Sequence, residues 1–321
     1  VNPAKSYPII LFFLLLNGAL VAQPVPAADE NIPYLMTFGG NSLTSWGDDD
    51  FCQIFFCVIP ASQKSPFYLR VYDPDTGGDL DELKGSFNTV LSFSVYGGTG
   101  CWTDTAAQNI HLNGNYKRGF QITSRSFGND PKYDKQWFSL GPFNPSEGEK
   151  AERLGGFVFK IIAQGVSGDD GNIYRYFLSS SPSANVAVEG ANFFTYKYHF
   201  RLPDNQKQIC QIYPFVDDRT ISFKVLNFDW DNDGLIRVFS VAKNGLPCSI
   251  SGEDQWAQNQ FPVVPEEKNS SLEIQFIKNQ SLQVKNNNVV IAVLNQYGVS
   301  MPFYVIPIGG VPVYTPKIRM K

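Results

Sequence analysis

The sequence predicts an all-β protein made of two β-sandwich domains, of Greek-key, immunoglobulin-like or jelly-roll-like type. Apolar residues alternate with polar ones over short runs, the mark of a strand with one buried face. Other runs of strand length are apolar or aromatic throughout, as suits strands covered on both faces. Gly and Pro turn signals such as Asn113-Gly114, Asp170-Gly171 and Asn244-Gly245 separate these runs, and helical periodicity is nearly absent.

The first 22 residues have the layout of a secretory signal peptide. Lys5 gives a positive n-region, Ile9 to Leu16 is unbroken and apolar, and Ala19-Leu20-Val21-Ala22 offers small residues before Gln23. The apolar run falls short of the ~20 residues that span a bilayer. The expectation is therefore an exported chain, in the periplasm, at the cell surface or outside the cell, with no transmembrane span once the signal is removed.

Strand signals follow in order. Phe51 to Ile59 is largely apolar, and Phe67, Leu69 and Val71 alternate with Tyr68, Arg70 and Tyr72. Leu91, Phe93 and Val95 alternate with serines. Ser146 and Glu149 have capping-box spacing ahead of Lys150 to Leu154, which predicts one or two turns of surface helix ended by Gly155-Gly156. Phe157 to Ile162, Ile173 to Leu178 and Phe193 to Phe200 read as doubly covered strands. The polar stretch Pro203 to Gln208 is the best boundary, giving domains at 23–203 and 209–308 and a tail at 309–321. Beyond it, Ile221 to Val225 and Leu272 to Phe276 alternate, Val289 to Leu294 is apolar throughout, and the tail carries Lys317, Arg319 and Lys321.

Composition excludes some function classes. The chain has 26 Lys and Arg against 30 Asp and Glu, a formal net charge of −4. Without a basic stripe to neutralise phosphates, it does not suit nucleic acid, and the same balance disfavours anionic lipid. The odd count of five cysteines leaves at least one thiol without a partner in the chain. Cys52 and Cys57, five apart on one strand, face opposite ways and do not pair. Buried free cysteines, acting as small apolar residues, are the expectation.

The densest chemistry lies in two acidic loops. Asp73, Asp75, Asp79, Asp81 and Glu82 place five carboxylates within ten positions, with Gly77-Gly78 between them to let the backbone reverse. Ca²⁺ takes six to eight oxygens, and packing this much negative charge without a cation costs stability. Asp229, Asp231 and Asp233, before Gly234, match the first half of an EF-hand loop. The twelfth position is Ser240 where a bidentate Glu belongs, so the loop is no EF-hand, and its ligands would be completed from elsewhere, from Asp217 or Asp218. Both loops are expected to hold structural Ca²⁺. Asp48-Asp49-Asp50 and Asp169-Asp170-Gly171-Asn172 are explained as a strand start and a hairpin turn.

Catalytic signals are weak. The two histidines, His111 and His199, lack a nearby nucleophile motif, and there is no HExxH, GxSxG or phosphate loop. A non-enzyme is expected. A glycoside hydrolase with unmarked carboxylates is one alternative. A carbohydrate-binding module is another, resting on Trp46, Trp102, Trp137, Trp230 and Trp256, most of them near turn residues.

Six stretches carry a family resemblance: Thr37-Phe-Gly-Gly-Asn41, Trp46-Gly-Asp-Asp-Asp-Phe51, Arg70-Val-Tyr-Asp-Pro-Asp-Thr-Gly-Gly-Asp79, Phe228-Asp-Trp-Asp-Asn-Asp-Gly234, Asn295-Gln-Tyr-Gly298 and Pro302-Phe-Tyr304. On these residues the chain resembles a family of exported β-sandwich proteins from Bacteroidota-type bacteria, some of which carry a following OmpA-like domain. Its first half is also similar in architecture to the non-catalytic β-sandwich domains appended to secreted bacterial peptidases, which sometimes bind calcium. The resemblance brings no assigned activity. The expected role is cell-surface structure or adhesion, with a surface protein, a glycan or a second copy of the chain as partner.

Overall fold

A computed structural model describes residues 24–41, 51–108, 115–281 and 284–316. The expected signal peptide (1–22), Trp46, Asp48 to Asp50, His111, the Asn113-Gly114 turn and the basic residues Lys317, Arg319 and Lys321 lie outside the described residues.

Strands β1 (Tyr34–Phe38), β2 (Cys52–Pro60), β3 (Phe67–Tyr72), β4 (Val90–Gly97) and β5 (Phe120–Phe127) come first. β6 (Trp137–Phe143), β7 (Glu149–Ala151), β8 (Gly156–Ser167), β9 (Gly171–Ser179), β10 (Asn192–Thr195) and β11 (Lys197–Arg201) follow. Then come β12 (Ile209–Ile212), β13 (Phe215–Val216), β14 (Ser222–Phe228), β15 (Gly234–Phe239) and β16 (Asn244–Cys248). The last are β17 (Trp256–Pro262), β18 (Ser270–Ser271), β19 (Glu273–Lys278), β20 (Asn288–Asn295) and β21 (Phe303–Tyr304). The fold is all-β, and the helical pieces among the described residues are three-residue 3₁₀ turns. No helix among them is long and apolar enough to cross a membrane.

An eight-stranded antiparallel sheet is ordered β17-β14-β20-β11-β1-β9-β3-β6 and joins strands from both halves of the chain. One face of it is covered twice. A seven-stranded sheet built on β21-β10-β2-β8-β4-β5 lies over the amino-terminal strands: Phe55 of β2 meets Tyr176 and Tyr198 edge-on, at 5.9 and 5.4 Å between ring centres. A four-stranded sheet, β12-β19-β15-β16, lies over the rest, with Phe276 of β19 edge-on to Phe200 of β11 at 5.3 Å. Tyr198 and Phe200 are two apart on one strand and so point the same way, which puts both covering sheets on one side. One apolar core runs through both layers, from Val25 to Val305. Buried aromatic rings of ~150–250 Å² each dominate its packing.

The stretch 203–208 falls between β11 and β12, and the chain on its two sides is hydrogen-bonded across it. β11 pairs with β20 from Lys197↔Ala292 to Arg201↔Asn288, and β10 pairs with β21. The two sandwiches share a sheet and a core.

Two local expectations change. Phe193 to Phe200, read as one strand, breaks at Tyr196 into β10 and β11, which belong to opposite layers. At this crossing Trp102 Nε1 donates to Tyr196 Oη (3.0 Å). The short helix at Ser146 to Leu154 is instead two 3₁₀ turns flanking β7. Glu149 is drawn out of a capping role because its carboxylate accepts N–H groups from Gly100 (2.9 Å), Trp102 (2.6 Å) and Thr103 (3.1 Å). Cys52 and Cys57 face opposite ways, the first into an outer aromatic cluster with Phe56 and Phe194, the second into the main core. None of the five cysteines is in a disulfide: Cys52, Cys57, Cys101 and Cys210 are buried and Cys248 is half-buried.

Candidate metal centre

The first acidic loop leaves β3 at Tyr72 and crosses the uncovered face of the eight-stranded sheet. There Leu80 packs on a small cluster of Met36, Phe38 and Ile173. Asp73 takes a left-handed backbone (φ 56°), one that Asp tolerates better than most residues. Gly78 (φ 75°) makes the reversal, and a Cβ there would stand 2.6 Å from Asp134 Oδ1. The returning strand bonds to the β8–β9 hairpin turn through Glu82 N to Gly171 O (2.8 Å) and Gly171 N to Glu82 O (2.9 Å).

That hairpin turn anchors the end of the loop. Asp170, fully buried, accepts the N–H groups of Lys84 (2.8 Å), Asn88 (2.9 Å) and Thr89 (3.1 Å). Burial opposes ionisation of Asp170, yet these donors and the Thr89 hydroxyl outweigh it and hold its carboxyl below the usual range. A second segment, between β5 and β6, is laced alongside. Asp73 N donates to Gln136 O (2.9 Å), Thr76 N to Gly128 O (3.2 Å) and Lys135 N to Asp73 Oδ1 (2.7 Å).

The five carboxylates of this loop divide into different roles. Asp79 is exposed and pairs with Lys135 Nζ. Asp81 spends both oxygens on backbone, accepting Gly77 N (2.7 Å) and Ile173 N (2.9 Å). Glu82 binds Arg201 (2.7 Å) and Asn288 Nδ2 (3.1 Å). That leaves Asp73 and Asp75, each 1% exposed. Asp73 Oδ2 and both Asp75 oxygens are buried without a hydrogen-bond partner, as are Thr76 Oγ1, Asn172 Oδ1 and Asp134 Oδ1.

These acids also perturb one another. Burial, with Asp75 and Asp134 adding to it, pushes Asp73 up to about 7. Burial pushes Asp75 up to about 6; the nearby backbone N–H groups of Asp75 and Asp130 offset part of this, and the charges of Asp134 and Asp130 add to it. Asp81, raised mainly by burial and then by Asp73 and Asp75, reaches about 8. The sequence did not mark Asp134 or Asp130. They come from the β5–β6 loop, and no local spacing announces them.

The second loop connects β14 to β15 and has left-handed backbone at Asp229, Asp231 and Asn232. It is tied to the 251–255 stretch through Trp230 N to Ser251 Oγ (2.9 Å), Asn232 N to Ser251 O (2.9 Å) and Asp254 N to Asp229 Oδ1 (3.1 Å). Asp233 turns away, into a buried pair with Lys278 Nζ (3.2 Å). Asp229 and Asp231 instead share an open cleft of about 310 Å³ with Glu82, Glu253 and Asp254, and with the cations Lys84 and Lys285. Burial and then neighbouring carboxylates push both up to about 6, with Asp254 the first contributor for Asp229 and Asp229 the first for Asp231.

The ligands expected from Asp217 and Asp218 are not near this loop. Asp217 caps its own turn by accepting Arg219 N (3.2 Å) and Thr220 N (2.9 Å), and both line a groove at the junction of the two halves. Ser240 accepts the N–H groups of Ala242 (3.0 Å) and Lys243 (2.8 Å), well outside the acidic cleft.

Among the described residues, no three carboxylate, imidazole or thiol groups already converge in closed metal-ligating geometry. Binding a cation at Asp73 and Asp75 therefore requires drawing donors inward. His199 is buried in β11, and burial holds its imidazole well below the ordinary range, so it is neutral at physiological pH. Trp230 is fully buried, Trp102 nearly so, and Trp137 packs tilted against Tyr72 and edge-on to Phe177, while among the described residues Trp256 is the exposed one at 40%. The junction groove, about 770 Å³, is lined by Trp102, Tyr196, Phe215 and Tyr304 with Arg153 and Asp217. No protein-family model matches the chain, and no curated protein matches it.

Proposed function

We propose that this chain is a non-catalytic, exported β-sandwich protein of the cell surface or extracellular space, whose acidic loops are stiffened by bound Ca²⁺. The proposed role is surface structure or adhesion, toward a surface protein, a glycan or a second copy of the chain.

The observation that supports the reading is Asp75. A carboxylate buried without hydrogen bonds costs several kcal/mol in its ionised form, so it must stay protonated or meet a cation. Asp73 Oδ2 beside it is in the same condition, and Thr76 Oγ1 and Asn172 Oδ1 add neutral oxygens. An all-oxygen set of this kind suits a hard cation, and Ca²⁺ tolerates the irregular geometry better than Mg²⁺ does. Asp229 and Asp231 offer a more open second position of the same chemistry. The testing measurement is thermal unfolding of the chain with chelator and with calcium from micromolar to millimolar. Melting is expected to rise with calcium, and an identical melting temperature throughout removes the reading.

A further inference from the structure

Asp134 is the side chain in this region that neither the loop motif nor the fold explains. It lies in the β5–β6 loop, its Oδ1 is buried without a hydrogen-bond partner, and it sits against Gly78, whose lack of a side chain makes room for it. Its charge acts on both Asp73 and Asp75. A carboxylate with only a structural task would accept N–H donors, as Asp81 and Asp170 do here. Asp134 Oδ1 has none, and its charge reaches the same acids whose oxygens lack partners.

We infer that Asp134 is the third carboxylate ligand of the Asp73–Asp75 site, so that Ca²⁺ clamps residues 128–136 onto the exit of β3. The inference rests on the calcium reading above and adds to it a ligand and a consequence. The contacts that already lace the two segments include three backbone-directed hydrogen bonds and the Lys135–Asp79 pair. Asp79 is largely exposed, so that pair contributes little. Without a cation, the facing carboxylates oppose these contacts. With Ca²⁺ the same carboxylates become the strongest link between the segments, and the loop joining the edge strand of one sheet (β5) to the edge strand of the other (β6) is fixed.

The experiment is hydrogen exchange of the full chain in calcium and in chelator, together with calcium titration of Asp134→Asn and Asp79→Asn. Calcium is expected to slow exchange in 128–136 at least ~10-fold. Asp134→Asn should melt no lower than wild type in chelator, bind calcium at least ~10-fold more weakly, and lose the protection of 128–136. Asp79→Asn should bind calcium as wild type does. If wild type binds calcium and protects 73–77 but not 128–136, or if Asp134→Asn binds as tightly as wild type, the clamp is refuted while the calcium reading stands. If wild type binds no calcium, both fall. Should Asp134→Asn fail to fold, the wild-type exchange of 128–136 decides alone.

Discussion

Asp75 sets the residue-scale behaviour of this protein, because its ionisation is penalised in the folded chain and free in the unfolded one. The folded carboxyls of Asp73, Asp75 and Asp81 titrate near 7, 6 and 8 against an ordinary value of 3.8. Between about pH 4 and pH 8 the folded state therefore holds protons that the unfolded chain has released, and metal-free stability must fall as pH rises. Asp229 and Asp231 act with the same sign, while neutral His199 acts oppositely near pH 6.5. The difference between wild type and Asp75→Asn isolates the site. In chelator the variant should gain on wild type as pH rises, by about 2 °C or more in melting temperature at pH 8. In calcium the order should reverse, because the cation favours the ionised form and binding releases protons. Melting curves at pH 5, 6.5 and 8 check both signs, and a pH-independent gap would show that Asp75 is not strained as described.

The loop around this carboxylate depends on one backbone reversal. Gly78 holds a positive φ and touches Asp134, so Gly78→Ala adds both a left-handed penalty and a 2.6 Å collision. A loss of about 1–2 kcal/mol is expected from the backbone alone. Denaturant unfolding should show it as a lower midpoint with an unchanged slope. A neutral Gly78→Ala would mean that the loop adopts another path. Only part of this element was legible in the sequence. Asp73 and Asp75 stand out because they are close in sequence, but Asp134 belongs to a segment whose Lys135 bonds Asp73 across 62 positions. Asp81 and Glu82 have the same composition as the proposed ligands, and only the positions of Ile173 N and Arg201 show that their oxygens are already engaged.

Across the whole molecule, the β11–β20 ladder decides how the chain unfolds. A core continuous from one covering sheet to the other should melt as one unit, with equal calorimetric and van't Hoff enthalpies. Two resolved transitions would mean that the halves are independent. An isolated 24–203 piece would expose β11 as a new edge and is expected to aggregate. The alternation of Phe67, Leu69 and Val71 announced a strand because pleating is a local property. The shared sheet was hidden because pairing Lys197 with Ala292 depends on chain topology, which no short pattern records. The same hiddenness split Phe193 to Phe200, since both sides of the break at Tyr196 are equally aromatic. The buried thiols acquire a use from this architecture. Cys57 lies in the common core, Cys52 in the outer aromatic cluster and Cys210 in the second half, while Cys248 is part-way exposed. Each of the buried ones becomes reactive only when its own region opens, so alkylation kinetics mapped by residue would time the opening of each layer without any introduced label.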